Sequence, residues 1–392
     1  MSSLKHFFRE NEVDQVFAYE MLQKFAFGLI SIFIPIYIAK QATLMLALQY
    51  VAAVSLFFMI SAIPISYLIA RMGFKHSLVL SYIFYLPSLL VFQLVERGMM
   101  ALDFRLVMFS GVLLAVGKAF HWIALHAEFA TDSSEDHRGK DSGRLLGLPR
   151  ISKAVAPFAG GVIMASLGFG GLVSITVVFL VLSALPLMSS GDHRDPEPYS
   201  LSAIKSVKHL KYGALFYLRG LGIASGYYLW PLFTALVVST GGGEVDAGIV
   251  SSLVNVGMAG FTILLGSRAD KVDAKKMIFV GAVLSGIFFT ARGLVMTSIQ
   301  AFIVSLAAGP AFMMYYVPIY SELADAAEDE DVLEFYAFRE VALGFSRVTL
   351  YGFTALMLLN FGMETAFRYT FYLTGVGTAL IFEADRYTDR TG

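Results

Sequence analysis

The stretch GSRADKVDAKK, residues 266–276, sets a cluster of Arg, Lys and Asp between two long runs that carry almost no charge. A second cluster, SYLIARMGFKH at residues 66–76, interrupts the chain in the same way two hundred residues earlier. Charged turns between apolar runs of this length are what a chain shows when it leaves a bilayer and re-enters it. Composition agrees: 57% of the 392 residues are hydrophobic and only 15% are charged, and mean hydropathy is +0.69, where soluble domains carry about a quarter charged residues. The net charge of −1 gives no reason to invoke nucleic acid, and the absence of Cys excludes disulfides and thiolate chemistry. The polar N-terminus MSSLKHFFRENEVDQ lacks the apolar core of a signal peptide, so the first apolar segment is expected to remain in the mature protein.

Crossing hydrocarbon takes about 20 apolar residues. Twelve segments of that kind are predicted, near residues 14–38, 43–69, 76–95, 103–126, 146–167 and 171–189, then 213–239, 245–267, 276–297, 299–322, 335–360 and 364–384. The polar stretch between the sixth and seventh reads as a linker. The expected organisation is an N-terminal six-helix bundle (1–188), a cytoplasmic linker (189–212) and a C-terminal six-helix bundle (213–392). Basic residues in the short loops are strongly one-sided: Arg71, Lys75, Arg138, Lys140, Arg194, Lys205, Lys271 and Lys275 fall on one face, against Lys40, Arg97, Arg105 and Arg368 on the other. The positive-inside bias therefore places both termini in the cytoplasm of a multi-pass cell-membrane protein. With that placement the two charged clusters occupy equivalent turns, after segments 2 and 8, and an internal duplication follows.

The turns resemble the loop between helices 2 and 3 of the major facilitator superfamily of secondary transporters, roughly G-x-x-x-D-R-x-G-R-K. The first copy keeps Arg71, Gly73 and Lys75, with Ser66 and Ala70 in place of the leading Gly and the Asp; the second keeps Gly266, Asp270, Lys271 and Lys275, with Asp273 where a Gly would stand. The resemblance covers roughly residues 14–384. It implies an all-α membrane fold of twelve transmembrane helices in two pseudo-symmetric six-helix bundles, and a cytoplasmic latch at these residues that is made and broken during transport. The plainer reading is a set of positive-inside anchors. In segment 5, ISKAVAPFAGG resembles the small-residue signature of proton-coupled exporters through Pro157, Gly160 and Gly161, with Ser152 and Ala156 replacing glycines. That resemblance implies export; close helix packing alone also accounts for it.

Ionisable groups within hydrocarbon are costly and mark pathways by default. The resemblance puts helices 1, 4, 7 and 10 around the central cavity. Those segments carry Glu20 and Lys24, one turn apart, then Lys118, His121 and Trp122, then Arg219, Tyr227 and Trp230, and finally Tyr315 and Tyr316. These are the candidate substrate or coupling-ion residues, expected to meet in one layer of the cavity's inner half. Basic groups outnumber acidic ones there, with Arg347 adding to the excess, which favours an anionic solute. Glu20 could instead serve only to neutralise a neighbouring lysine. No phosphate-binding loop and no hydrolase motif is present. The sequence thus points to a secondary transporter, not an enzyme. It needs no cofactor and no metal, and works in the lipid bilayer as a monomer on a small-molecule solute with a proton or other ion. The alternatives are a transporter-shaped membrane receptor or a lipid-handling protein without small-solute flux.

Overall fold

The computed structural model describes residues 18–132, 138–189, 212–269, 273–328 and 332–391. The helices, in chain order, are α1 Ala18–Gln41, α2 Leu44–Met72, α3 Phe74–Glu96 and α4 Phe104–Asp132. One helical run, Arg138–Ser189, is broken at Gly168 into two arms, α5 before it and α6 after it. The second half contains α7 Gly213–Val238 and α8 Gly243–Ala269. It continues with α9 Ala274–Arg292, α10 Ser298–Glu328, α11 Val332–Phe361, α12 Met363–Ala379 and a short polar helix, α13 Ile381–Thr391. No strand occurs among the described residues.

Local chemistry sets these boundaries. Thr43 accepts from the Leu46 amide and caps α2, Asp103 accepts from the Leu106 amide at 2.8 Å and caps α4, and Asp273 accepts from the Lys275 amide at 2.9 Å and caps α9. The two halves turn alike between their fifth and sixth spans: Gly168 has φ +72° and Gly362 has φ +82°. A side chain would strain both positions, so each breaks the helix and lets the chain reverse into the next span.

The fourth and tenth helices run on to Asp132 and Glu328, past their expected ends, and the fifth starts early, at Arg138; two other spans end short. The ninth ends at Arg292 rather than near 297, because the Gly293 and Leu294 amides bond three residues back and the Gly293 carbonyl is taken by Arg368 and Tyr372 of α12. The twelfth stops at Ala379, and α13 runs on from it as a polar helix that buries Ile381, Ala384 and Asp385.

With twelve crossings, the start of α1 and the end of α12 lie on one face of the bundle, here the terminal face; α1 runs from it to the far face. Leu, Ile and Val side chains are turned outward along the spans, Ile83 at 65% and Leu359 at 75% exposure among them. In water such a surface would drive aggregation; against acyl chains it is at equilibrium. The halves meet most extensively along two helix pairs, α2 with α11 and α5 with α8.

Small residues make the α5 contact possible. A Cβ on Gly160 would run into the Leu29 carbonyl and the Phe33 ring of α1, and one on Gly161 would lie 2.6 Å from the Glu244 carbonyl of α8. The Pro157 carbonyl lies against Gly248 of α8, and the Phe158 amide donates to Ser252 Oγ at 3.0 Å. Two substitutions should therefore behave differently. Gly160→Ala presses on α1 within its own half, and Gly161→Ala presses on the other half. We expect each to cost about 1–3 kcal/mol in thermal unfolding. Only Gly161→Ala should also raise labelling of cysteines introduced at the far face.

Candidate functional site

The charged groups form three clusters rather than one layer. The first lies between α1 and α4. Glu20 is fully buried and pairs with Lys24 one turn on. Its Oε1 faces His121 Nε2 at 3.7 Å. On the other ring nitrogen, His121 Nδ1 meets Tyr19 OH at 2.6 Å and Gln23 Nε2 at 3.3 Å. His121 thus lies between a hydroxyl and an amide on one ring nitrogen and the Glu20 carboxylate on the other, with which it forms an ion pair only when the ring is protonated. Trp122 packs edge-on to His121, and Lys153 of α5 lies over the Trp122 ring at 5.8 Å. The cluster combines a buried carboxylate, an ammonium and an imidazole, which is the equipment for exchanging one proton.

The second cluster bridges the halves at mid-span. Lys118 of α4 donates to Tyr228 OH of α7 at 3.0 Å, and Ser31 of α1 bonds Tyr227 OH at 2.6 Å. Tyr227 and Tyr228 pack edge to face at 4.7 Å. Tyr227 is 42% exposed although it sits in the middle of α7 and reaches across to α1. Its open face is therefore turned to the space between the halves, not to lipid. Arg347 of α11 lies within electrostatic range of Lys118, Tyr228 and Tyr351, and the Arg347 Nε and Tyr351 OH have no hydrogen-bond partner among the described residues. Two cations and several phenols, from both halves, thus surround one space.

The third cluster is confined to the C-terminal half. The Arg219 guanidinium stands 5.1 Å over the Tyr316 ring, which stacks in turn on Phe312 and Tyr320. Glu340 accepts from Arg339 at 2.7 Å and lies 4.0 Å from Arg347, linking this cluster to the second. Tyr315 is 1% exposed within the packed core of that half.

Trp230 is also drawn away from the cavity: it is fully buried, donates to Ser305 Oγ of α10 at 2.9 Å and packs on Phe371 of α12. It is expected from the sequence among the cavity residues of its segment, but α7 contains π-helical turns at Ser225–Leu229 and Thr234–Val238 on either side of Pro231. The wider turn rotates the following residues to another face. Arg347 is the residue whose place at the bridging cluster the sequence could announce only as one more intramembrane charge.

At the terminal face, Gly73 has φ +85° and is the single non-helical residue between α2 and α3, with Arg71 stacked on Tyr67 at 4.2 Å and bonded to its hydroxyl. Lys75 opens α3 immediately after that turn. Lys275 binds Asp385 of α13 at 2.9 Å and Glu322 of α10 at 3.3 Å, both in its own half. Asp270 and Lys271 lie outside the described residues, as do the surroundings of Gly266 and most of the 189–212 segment. At the far face, Lys40 and Glu244 form an ion pair of 2.5 Å between α1 and α8, beside a cavity of about 250 Å³ lined by Tyr37, Glu96, Met164 and Phe169.

The sequence profile of the Major Facilitator Superfamily matches residues 16–220 and 215–383, nearly the whole chain. The chain belongs to the Major Facilitator Superfamily. Its fold is similar to that of the E. coli fucose:proton symporter FucP, in a single-residue variant, with TM-score 0.68, 14% identity, and coverage of 96% of this chain and 98% of that one. It is also similar to a POT family transporter solved in complex with 5-aminolevulinic acid, with TM-score 0.72, 10% identity and 96% coverage of each chain. No curated protein matches the chain in sequence. Membership in the Major Facilitator Superfamily makes this a multi-pass membrane protein and a secondary transporter, not an enzyme.

Proposed function

We propose that the chain moves a small anionic solute by alternating access, coupled to protons, with the solute held at the bridging cluster and the proton at the Glu20 cluster. The observation that carries the reading is the contact of Lys118 and Tyr228 across the two halves, with Arg347 close by and no carboxylate within ion-pair distance of Lys118 among the described residues. An uncompensated cation in a membrane interior needs a counter-charge, and a solute carboxylate or phosphate supplies one. Because the groups come from both halves, binding favours the arrangement that brings the halves together over the solute, which is the requirement for a rocking carrier.

Protonation of Glu20 would release Lys24 and remove the negative charge beside His121, changing the charge of the cluster. FucP is a fucose:proton symporter, and a proton-linked mechanism here is consistent with that relative. The ISKAVAPFAGG segment favours export. The division into halves at 1–188 and 213–392, both termini cytoplasmic, a cell-membrane location and action as a monomer complete the proposal.

The conformation described is one closed at the far face. Lys40–Glu244, the Gly161 contact and the Ser252 bond all join the halves there. Partly exposed ion pairs of this kind are worth about 0.2–1 kcal/mol. Lys40→Ala or Glu244→Ala should therefore shift the population of far-open molecules by at most about fivefold, and the swap Lys40→Glu with Glu244→Lys should restore it. Distance distributions between spin labels at the two faces read the shift; no change in either single variant would remove the pair from the gate. Transport itself is tested by solute counterflow into proteoliposomes. Accumulation driven by an acidic lumen marks antiport, and accumulation driven by an alkaline lumen marks symport. The absence of flux for any carboxylate, phosphate or neutral solute would favour a receptor or lipid-handling role.

A further inference from the structure

Opening the far face must break the Lys40–Glu244 pair, because Lys40 lies in the last turn of α1 and Glu244 in the first turn of α8, in the other half. A lysine left without its partner opposes that opening. The structure holds a second carboxylate beside it. Glu96, the last residue of α3, lines the same cavity of about 250 Å³ as Lys40 and Glu244. Its Oε1 accepts from Tyr37 OH at 2.5 Å and its Oε2 from the Gly170 amide of α6 at 3.3 Å. Both partners are neutral donors, so the charge of Glu96 is matched by no cation at ion-pair distance among the described residues.

Every group that fixes Glu96 belongs to the N-terminal half. Tyr37, one turn before Lys40 on α1, is buried and stacks on Phe169 of α6 at 3.9 Å, so its hydroxyl holds the carboxylate beside the Lys40 turn. Each carboxylate oxygen accepts one of these bonds and keeps a free lone pair. Lysine carries its charge on a flexible four-carbon stem. The cavity gives that stem room to turn, since its volume is several times that of one water, about 30 Å³. When α8 moves away with the C-terminal half, Glu244 goes with it and Glu96 stays.

We propose that Glu96 is the second partner of Lys40 in the transport cycle: the ammonium binds Glu244 while the far face is closed and turns through the cavity to Glu96 when it opens. The proposal rests on the reading of Lys40–Glu244 as a gate contact. The exchange leaves Lys40 with one carboxylate in either state, so its net effect on the balance between them is small. Each carboxylate, by contrast, favours one state only: Glu244 the closed far face, Glu96 the open one.

The chain has no cysteine, so the Tyr227→Cys protein carries one thiol, on the open face between the halves. A membrane-impermeant maleimide is added to the full-length protein in membranes, from the side away from a C-terminal tag. The labelling rate then follows the far-open population even where that population is small. Glu244→Gln should raise the rate and Glu96→Gln should lower it, each by about 1.4- to 5-fold, the range of a partly exposed ion pair. Lys40→Ala should change it less than either. In the Lys40→Ala background, Glu96→Gln should have no further effect, because the coupling runs through Lys40. A loss of negative charge near Glu244, or a disturbed contact of α3 with α6, would act without Lys40. An unchanged or raised rate in Glu96→Gln, or an equal fall with and without Lys40, would therefore overturn the exchange. If Glu244→Gln raises the rate and Glu96→Gln does not lower it, the gate contact stands and Lys40 has one partner only. If Glu244→Gln leaves the rate unchanged, the gate contact itself falls, and the exchange with it.

Discussion

Lys118→Met should raise the unfolding temperature and weaken the apparent affinity for the solute by about one to two orders of magnitude. The ammonium is buried at mid-span, donates to Tyr228 OH at 3.0 Å and has no carboxylate at ion-pair distance among the described residues. Its desolvation is therefore poorly offset in the empty protein, and an apolar side chain of similar length removes that cost. Solute binding loses a charge-assisted hydrogen bond of about 1.5–3 kcal/mol, a fall in affinity of about 10- to 150-fold. Opposite signs for stability and transport are the signature of a group retained for function. If Lys118→Met instead lowers stability and leaves the apparent affinity unchanged, Lys118 is a structural tether to α7 and the solute lies elsewhere. Arg347→Met should show the same loss of affinity with a smaller gain in stability, because Glu340 stands 4.0 Å from it and already compensates part of its charge.

Glu20→Gln should uncouple transport from the pH gradient while leaving downhill exchange. It removes the carboxylate that pairs with Lys24 and faces Nε2 of His121. The variant leaves a largely buried ammonium without its partner, and breaking such a pair costs about 3–5 kcal/mol. The double variant Glu20→Gln, Lys24→Met separates the two consequences. Stability should return because no lone charge remains, and pH-driven accumulation should stay absent because the proton acceptor is gone. Accumulation that survives in the stable double variant would show that the pair only makes the span tolerable to the membrane.

Much of this architecture is written in the sequence, for identifiable reasons. Apolar runs of spanning length follow from hydrocarbon thickness, and the turns at 66–76 and 266–276 mark the duplication because charge can collect only where the chain leaves lipid. Glu20 and Lys24 are legible as partners because one helical turn separates them. The His121 environment is not: Tyr19 and Gln23 stand about a hundred positions away in the chain, and only the packing of α4 on α1 brings them in. Lys118 and Tyr228 are joined across the halves by the same kind of tertiary contact. Trp230 shows the opposite limit. Its segment assigns it to the cavity residues, and a π-helical turn, which periodicity does not encode, places it against Ser305 in the core of its half. Lys275 shows that a recognisable loop does not specify its partners: its carboxylates, Glu322 and Asp385, come from α10 and α13, and Asp273 serves as the cap of α9.

The most direct measurement is electrogenic flux. Purified protein in liposomes on a solid-supported membrane is exposed in turn to small carboxylates, phosphates and neutral solutes, with and without an imposed pH gradient. The account predicts a saturable current for an anionic solute that depends on the gradient, needs about 10- to 150-fold more solute to half-saturate in Lys118→Met and loses its gradient dependence in the Glu20→Gln, Lys24→Met protein. A saturable, gradient-dependent current carried by a neutral solute and unchanged in Lys118→Met would contradict it.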